Sequence, residues 1–198
     1  MVDAWEISGK RSSAPLRVID CTPLAKVIVR ADRDSDTARA LGVGFGRAAR
    51  DAQGALVIGS GPGEWTILGT VGSASEIAAR IAPPEGAHVA VIDSTHGRAL
   101  IRVIGSDAAR MLSKLCPVDL SDRTTPDGTA FRSSVAALVT DVVRDDVSAQ
   151  LNGPGTTGKA RSYLLHCERS SGQYLLDTLL DAGAEFGIEV EGFTKPGI

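Results

Sequence analysis

Three glycine clusters, three histidines and three cysteines are the residues whose types could carry chemistry in this chain. Gly153-Pro154-Gly155-Thr156-Thr157-Gly158-Lys159-Ala160 has the glycines and the lysine of a phosphate-cradling loop. Ala160, however, stands where a Ser or Thr hydroxyl would hold Mg²⁺, and Ala160–Leu165 reads as a strand where such a loop must open a helix. A flexible surface loop is the reading. Gly59-Ser60-Gly61-Pro62-Gly63 follows an apolar strand as a dinucleotide loop would, but Glu64 occupies the last glycine position and a strand follows. Its chemistry is that of a type II turn, with Pro62 second and Gly63 third, where positive φ is required. Gly42-Val43-Gly44-Phe45-Gly46-Arg47, with Arg50 nearby, reads as a surface loop; its charge leaves an anion or subunit contact as the alternative.

His88, His96 and His166 lie too far apart for a metal-binding spacing. Adjacent strand residues point to opposite faces, so His166 and Cys167 do not form a Cys–His pair. No Gly-x-Ser-x-Gly elbow is present. These readings leave no catalytic residue, no cofactor-binding residue and no metal ligand to assign. His96-Gly97-Arg98 is the one polar cluster to carry forward. In one reading it is a tight turn in which Arg98 pairs with an acid such as Asp93. In the other, the planar guanidinium of Arg98 anchors a partner subunit, with His96 beside it at the interface.

The elements that position these residues follow from periodicity. Leu16–Asp20 and Ala25–Arg30 read as strands, and residues 31–54 hold a charged turn and a Gly-rich stretch of unsettled character. Val57-Ile58 and Trp65–Leu68 form a hairpin. Ser73–Ile81 is an amphipathic helix capped by Ser73 or Ser75 and stopped by Pro83-Pro84. A hairpin is expected over His88–Ile104, then a helix over Asp107–Leu115 with Ser106 as N-cap and Cys116-Pro117 at its end. An irregular connection reaches about Ala130, Val135–Val143 is a strand, residues 144–159 form a polar loop, and Ser162–Cys167 is a strand. The last helix runs from about Ser171 to Phe186, with Tyr174, Leu175, Thr178, Leu179 and Ala182 as its apolar stripe.

The segment Val91–Leu120, with Gly61–Leu68 upstream and Tyr163–Leu165 through Glu185-Phe186-Gly187 downstream, resembles the gamma subunit of heterotetrameric sarcosine oxidase. The strongest parts are His96-Gly97-Arg98, Gly105-x-Asp107-Ala108 and Cys116-Pro117-x-Asp119-Leu120, a framework and not a catalytic signature. The resemblance implies an α+β fold with duplicated β/α halves, similar to the folate-binding domain of aminomethyltransferases. It also implies a non-catalytic role in a complex that oxidises sarcosine or a related N-methyl amino acid and passes the one-carbon unit to tetrahydrofolate. The alpha, beta and delta subunits would be the partners and would carry FAD, FMN, NAD, tetrahydrofolate and zinc. A free-standing folate-binding aminomethyltransferase-like protein is the alternative. It needs an acidic residue for the pterin, with Asp93, Asp119 and Asp141 as stand-ins. An iron–sulfur assembly factor of similar fold would need a Lys-Gly-Cys-x-x-Gly-Gln motif that none of the cysteines has.

A chain of 198 residues suits one domain,. The expected organisation is an N-terminal arm over 1–15 and a single folate-binding-like domain over 16–198, with halves at about 16–87 and 88–198. Hydrophobic residues make up 43% and charged residues 23%, as in globular proteins generally. A net charge of −3 argues against a nucleic-acid partner,. No apolar run approaches the roughly 20 residues that span a bilayer, and the first residues show no secretory signal, so the expectation is a cytoplasmic protein. Cys21, Cys116 and Cys167 are odd in number and suit reduced, buried thiols.

Overall fold

The computed structural model describes residues 12, 14–81, 88–150 and 157–191. Thirteen strands lie among these residues: β1 (Leu16–Asp20), β2 (Ala25–Ala31), β3 (Ala48–Arg50), β4 (Leu56–Gly61), β5 (Glu64–Gly69), β6 (Val89–Asp93), β7 (Arg98–Gly105), β8 (Ala130–Val135), β9 (Leu138–Arg144), β10 (Val147–Gln150), β11 (Thr157–Ala160), β12 (Ser162–Glu168) and β13 (Glu189–Glu191). The helices are α1 (Asp36–Leu41), α2 (Ala74–Ile81), α3 (Ala108–Leu112) and α4 (Gly172–Gly183). One sheet has the order β13-β1-β7-β12-β9-β8 and the other β3-β4-β5-β2-β6, with β10-β11 as a separate ribbon.

The sheets stack face to face, and helices cover their outer faces. Strand alternation builds this arrangement directly. On β7, Ala99, Ile101 and Val103 join a core with Met111, Leu112, Leu175 and Leu179 of α3 and α4. Leu100 points the other way, into a core shared by Leu56, Ile58 and Leu68 of the smaller sheet and by Val143 and Leu164 of the larger. Burial on both faces explains the nearly continuous apolar run of this strand. On the smaller sheet, Val27, Val29, Trp65 and Ile67 pack with Ala74 and Ile77 of α2. Trp65 is buried and donates its indole N–H to Val43 O at 2.7 Å.

Several expectations are corrected. β6 and β7 are not a hairpin, because β6 pairs with β2 in the smaller sheet while β7 pairs with β1 and β12 in the larger. The polar turn between them is a crossover, held by Ser94 N–H donating to Lys26 O at 2.8 Å. Each sheet therefore draws strands from both sides of residue 88, with β1 in the larger and β6 in the smaller. The expected strand over 135–143 is the hairpin β8–β9, turning at Ala136 and Ala137 with φ of 52° and 63°. Positive φ is unfavourable for Ala, so no glycine or asparagine announces the turn. Residues 144–159 contain β10 and part of β11, which pair with each other.

Local chemistry accounts for the rest. In the unsettled stretch, Ser35 caps α1 by accepting from Ala38 N–H at 3.1 Å, and Gly42 ends it with φ of 64°. α3 is shorter than expected, and Asp107, not Ser106, takes its N-cap position, with Ser106 Oγ turned to Asp107. Turns continue the chain beyond α3 to Cys116, whose N–H donates to Leu112 O. On α4, Leu175, Leu179 and Ala182 are buried as expected, whereas Tyr174 is exposed. The three cysteines are free and buried. Gly63 has φ of 73°, as the Pro-Gly turn requires. Gly59 is needed for close approach, since a Cβ there would lie 2.2 Å from Gly44 O. The proline stop at 83–84, the arm over 1–11 and the loop residues 151–156 lie outside the described residues.

Candidate functional site

Both crossovers between the sheets are built from an aspartate and, two residues on, a threonine. In Asp20-Cys21-Thr22, Thr22 N–H donates to Asp20 Oδ1 at 2.9 Å, and Thr22 Oγ1 accepts from Leu100 N–H at 3.1 Å. In Asp93-Ser94-Thr95, Thr95 N–H donates to Asp93 Oδ1 at 2.9 Å, and Thr95 Oγ1 accepts from Lys26 N–H at 3.1 Å. Hydrogen bonds from Thr95 hold the Asp93 carboxyl below its ordinary range,. Each threonine thus braces the strand that follows the opposite crossover. The repeated Val-Ile-Asp-x-Thr of Val18–Thr22 and Val91–Thr95 is the sequence signal for this pair.

Lys26 sits between the crossovers with no exposed surface. Its Nζ donates to Thr22 O at 2.6 Å, Leu24 O at 2.9 Å and Thr95 O at 3.2 Å, using the three donors of an ammonium,. Burial pulls its pKa down to about 8, which leaves it protonated at neutral pH,. Burial likewise pushes the Cys21 thiol up to about 11, so it is not a thiolate at neutral pH,.

The second crossover leads into the cluster around Arg98. His96 is exposed at the turn. Arg98 is mostly buried, and it does not pair with Asp93. Its Nη2 donates to Asp141 Oδ2 at 2.9 Å and its Nη1 donates to Glu168. Arg132 completes the grip on Asp141 by donating to both carboxylate oxygens, at 2.6 and 3.2 Å. His166 lies beneath, with Nδ1 3.8 Å from Asp141 Oδ2 and a buried Nε2 that has no hydrogen-bond partner. Burial, reinforced by the charge of Arg98, lowers the His166 pKa to about 3, so the ring is neutral,. His166 faces the space between the sheets, while Cys167 belongs to the core under α4, as strand alternation requires,.

The other motifs have structural roles. Lys159 donates to Asp127 Oδ2 at 2.6 Å from β11. Asp119 accepts from Ser121 N–H and from the hydroxyls of Ser121 and Thr124, which lowers its pKa. Among the described residues no group of three His, Cys, Asp or Glu side chains could hold a metal ion, and no helix is long and apolar enough to cross a membrane. A cleft of about 740 Å³ opens between the sheets, lined by residues of β1, β3, β4, β5, β7, β10, β12, β13 and α2.

No protein-family model matches the sequence, and no curated protein matches it. Among solved structures, a chain of heterotetrameric sarcosine oxidase from Corynebacterium sp. U-96 is similar, with a TM-score of 0.71, 22% identity and 92% of each chain covered. The glycine cleavage system aminomethyltransferase T from Bartonella henselae is similar with a TM-score of 0.64 and 14% identity, over 96% of this chain and 50% of that one. The chain thus has a mixed α and β fold shared by a sarcosine oxidase chain and by about half of an aminomethyltransferase.

Proposed function

We propose that this chain is a non-catalytic, gamma-type subunit of a sarcosine oxidase-like complex. The observation that carries the reading is the extent of the likeness: 92% of this chain corresponds to 92% of a sarcosine oxidase chain. The aminomethyltransferase is matched over 50% of its length. The acids this chain could offer a pterin are also engaged elsewhere. Asp93 and Asp119 accept from their own turns, and Asp141 is held by Arg98 and Arg132. A carboxylate neutralised by two guanidiniums is a poor base and a poor acceptor for a new ligand.

In this reading the alpha, beta and delta subunits are the partners, in the cytoplasm. They supply FAD, FMN, NAD, tetrahydrofolate and zinc, and the complex oxidises sarcosine or a related N-methyl amino acid. We further infer two related β/α halves. The order β3-β4-β5-β2-β6 is matched by β8-β9-β12-β7-β1, with a helix following β5 and another following β12. Co-expression with the three partner subunits tests the function. The isolated chain should be colourless and inactive, and co-purification of all four chains with sarcosine-dependent peroxide formation is expected. Flavin absorbance or sarcosine turnover from the isolated chain would overturn the reading, as would failure of the four chains to co-purify.

A further inference from the structure

The cleft between the sheets has a consistent chemistry that the subunit reading does not use. Its floor is aliphatic, made by Ile19, Ile104 and Leu164 of the larger sheet and Leu56 and Leu68 of the smaller. Arg17, Arg50, Arg80 and Arg102 also line it, with the acidic side chains Glu76 and Glu191, and Arg17 is paired with Glu191 at 2.8 Å. Arg102 and Arg50 converge on one carboxylate oxygen, Asp145 Oδ2, at 2.7 and 2.9 Å. Two guanidiniums sharing one carboxylate leave a surplus positive charge at Arg50 and Arg102, whereas Arg17 and Arg80 each have a carboxylate of their own. Arg80 donates Nη2 to Asp51 Oδ2 at 2.9 Å, and Arg50 adds one bond, to Gly54 O. A guanidinium has five N–H donors, so both retain donors beyond these bonds. Side-chain exposure rises from 13% at Arg102 to 53% at Arg50, placing the deeper charge near the floor and the other towards the mouth.

We propose that this cleft binds a small organic carboxylate with an apolar body, the body against the aliphatic floor and the carboxylate among the arginines. A volume of about 740 Å³ is that of a small-molecule site,. Guanidiniums match the planar carboxylate fork, and an inorganic anion alone would leave the floor wet. A cation would meet the surplus positive charge. Asp93, Asp119 and Asp141 are not among the lining residues, so the site is separate from the pterin question and does not rest on the subunit reading.

The test uses the full chain with 8-anilinonaphthalene-1-sulfonate as a fluorescent occupant and decanoate as competitor. Decanoate should displace the dye, and decanol, with the same chain and no charge, should need at least tenfold higher concentration. The double variant Arg50→Gln, Arg80→Gln should weaken decanoate at least tenfold with an unchanged far-ultraviolet spectrum. Its folding is protected because Asp145 keeps Arg102, and Asp51 keeps the N–H groups of Gln53 and Ala55. Thr70→Trp, which fills the lining at an exposed position and removes no ion pair, should abolish displacement. Equal competition by decanol, undiminished decanoate binding in either variant, or no saturable dye binding by the wild-type chain would each overturn the proposal.

Discussion

The crossover at Asp20–Thr22 and the crossover at Asp93–Thr95 have the same backbone brace and opposite side-chain chemistry. Both use an aspartate to hold a threonine N–H, and both use the threonine hydroxyl to hold the strand entering the other sheet. Beyond the brace the two crossovers diverge. After the first crossover, Lys26 stands opposite Leu68 of β5; after the second, Leu100 stands opposite His166 of β12. Lys26 and His166 are thus each buried opposite a leucine, Lys26 on the strand that follows the first crossover and His166 on the neighbour of the strand that follows the second. The brace defines the path of the chain, while the buried titratable group differs between the two crossovers: a protonated Lys26 beside one and a neutral His166 beside the other. Lys26 finds backbone carbonyls from both crossovers, whereas the polar cluster beside the second crossover reaches outward through Arg98 to β9 and β12.

The largest expected effect breaks this asymmetry at Lys26. Lys26→Met should cost about 3–5 kcal/mol in urea unfolding, because three buried carbonyls lose their donor at once. Leu100→Met, at the matching place, should cost less than about 1.5 kcal/mol, since volume is conserved and no polar partner is lost. Equal costs would mean that Lys26 is not the tie between the crossovers.

Acid titration sharpens the comparison at His166. Its pKa is about 3 in the folded chain, below the ordinary 6.5, so between these values the unfolded chain binds the extra proton. Stability must then rise with pH over that window, and lowering the pH from 7 to 5 should remove about 2 kcal/mol. In His166→Leu this part of the pH dependence should vanish, as followed by thermal melting. The first crossover has its window elsewhere. Lys26, with a pKa of about 8 against an ordinary 10.5, makes stability rise with pH between those values,.

A smaller effect tests whether the braces are equivalent. Thr22→Val and Thr95→Val each remove one acceptor at constant shape, and each should cost about 1 kcal/mol. A difference between them above about 1 kcal/mol would show that one crossover depends on its brace more than the other. The smallest effect is at Arg98. Arg98→Lys should lower stability by less than about 1 kcal/mol, because Arg132 still holds Asp141 and the Glu168 pair is solvated. Loss of co-purification with partner subunits at that small cost would assign Arg98 to assembly; retention would leave it an internal strut.

The apolar, β-branched or aromatic runs at Leu16–Asp20, Ala25–Arg30, Trp65–Leu68 and Ser162–Cys167, and the stripe of Leu175, Leu179 and Ala182, determined strands and helix locally, because short apolar runs suit strands buried on both faces and a stripe every third or fourth residue suits a helix buried on one. Strand alternation placed His166 and Cys167 on opposite faces. Turn chemistry was legible where it is enforced sterically, as at Pro62-Gly63, and illegible at Ala136-Ala137, where the hairpin holds an unfavourable φ that no residue type signals. What only the tertiary structure decided is which sheet each strand joins. Val89–Asp93 and Arg98–Gly105 read as a hairpin because a four-residue turn separates two strands. Their hydrogen bonds go instead to β2 and to β1 and β12. The partners of Arg98 are hidden for the same reason: Asp141 and Glu168 lie 43 and 70 residues away, and only sheet pairing brings them to it. Local periodicity records which face of a strand is apolar, but carries no information about the distant strand that will meet its edge.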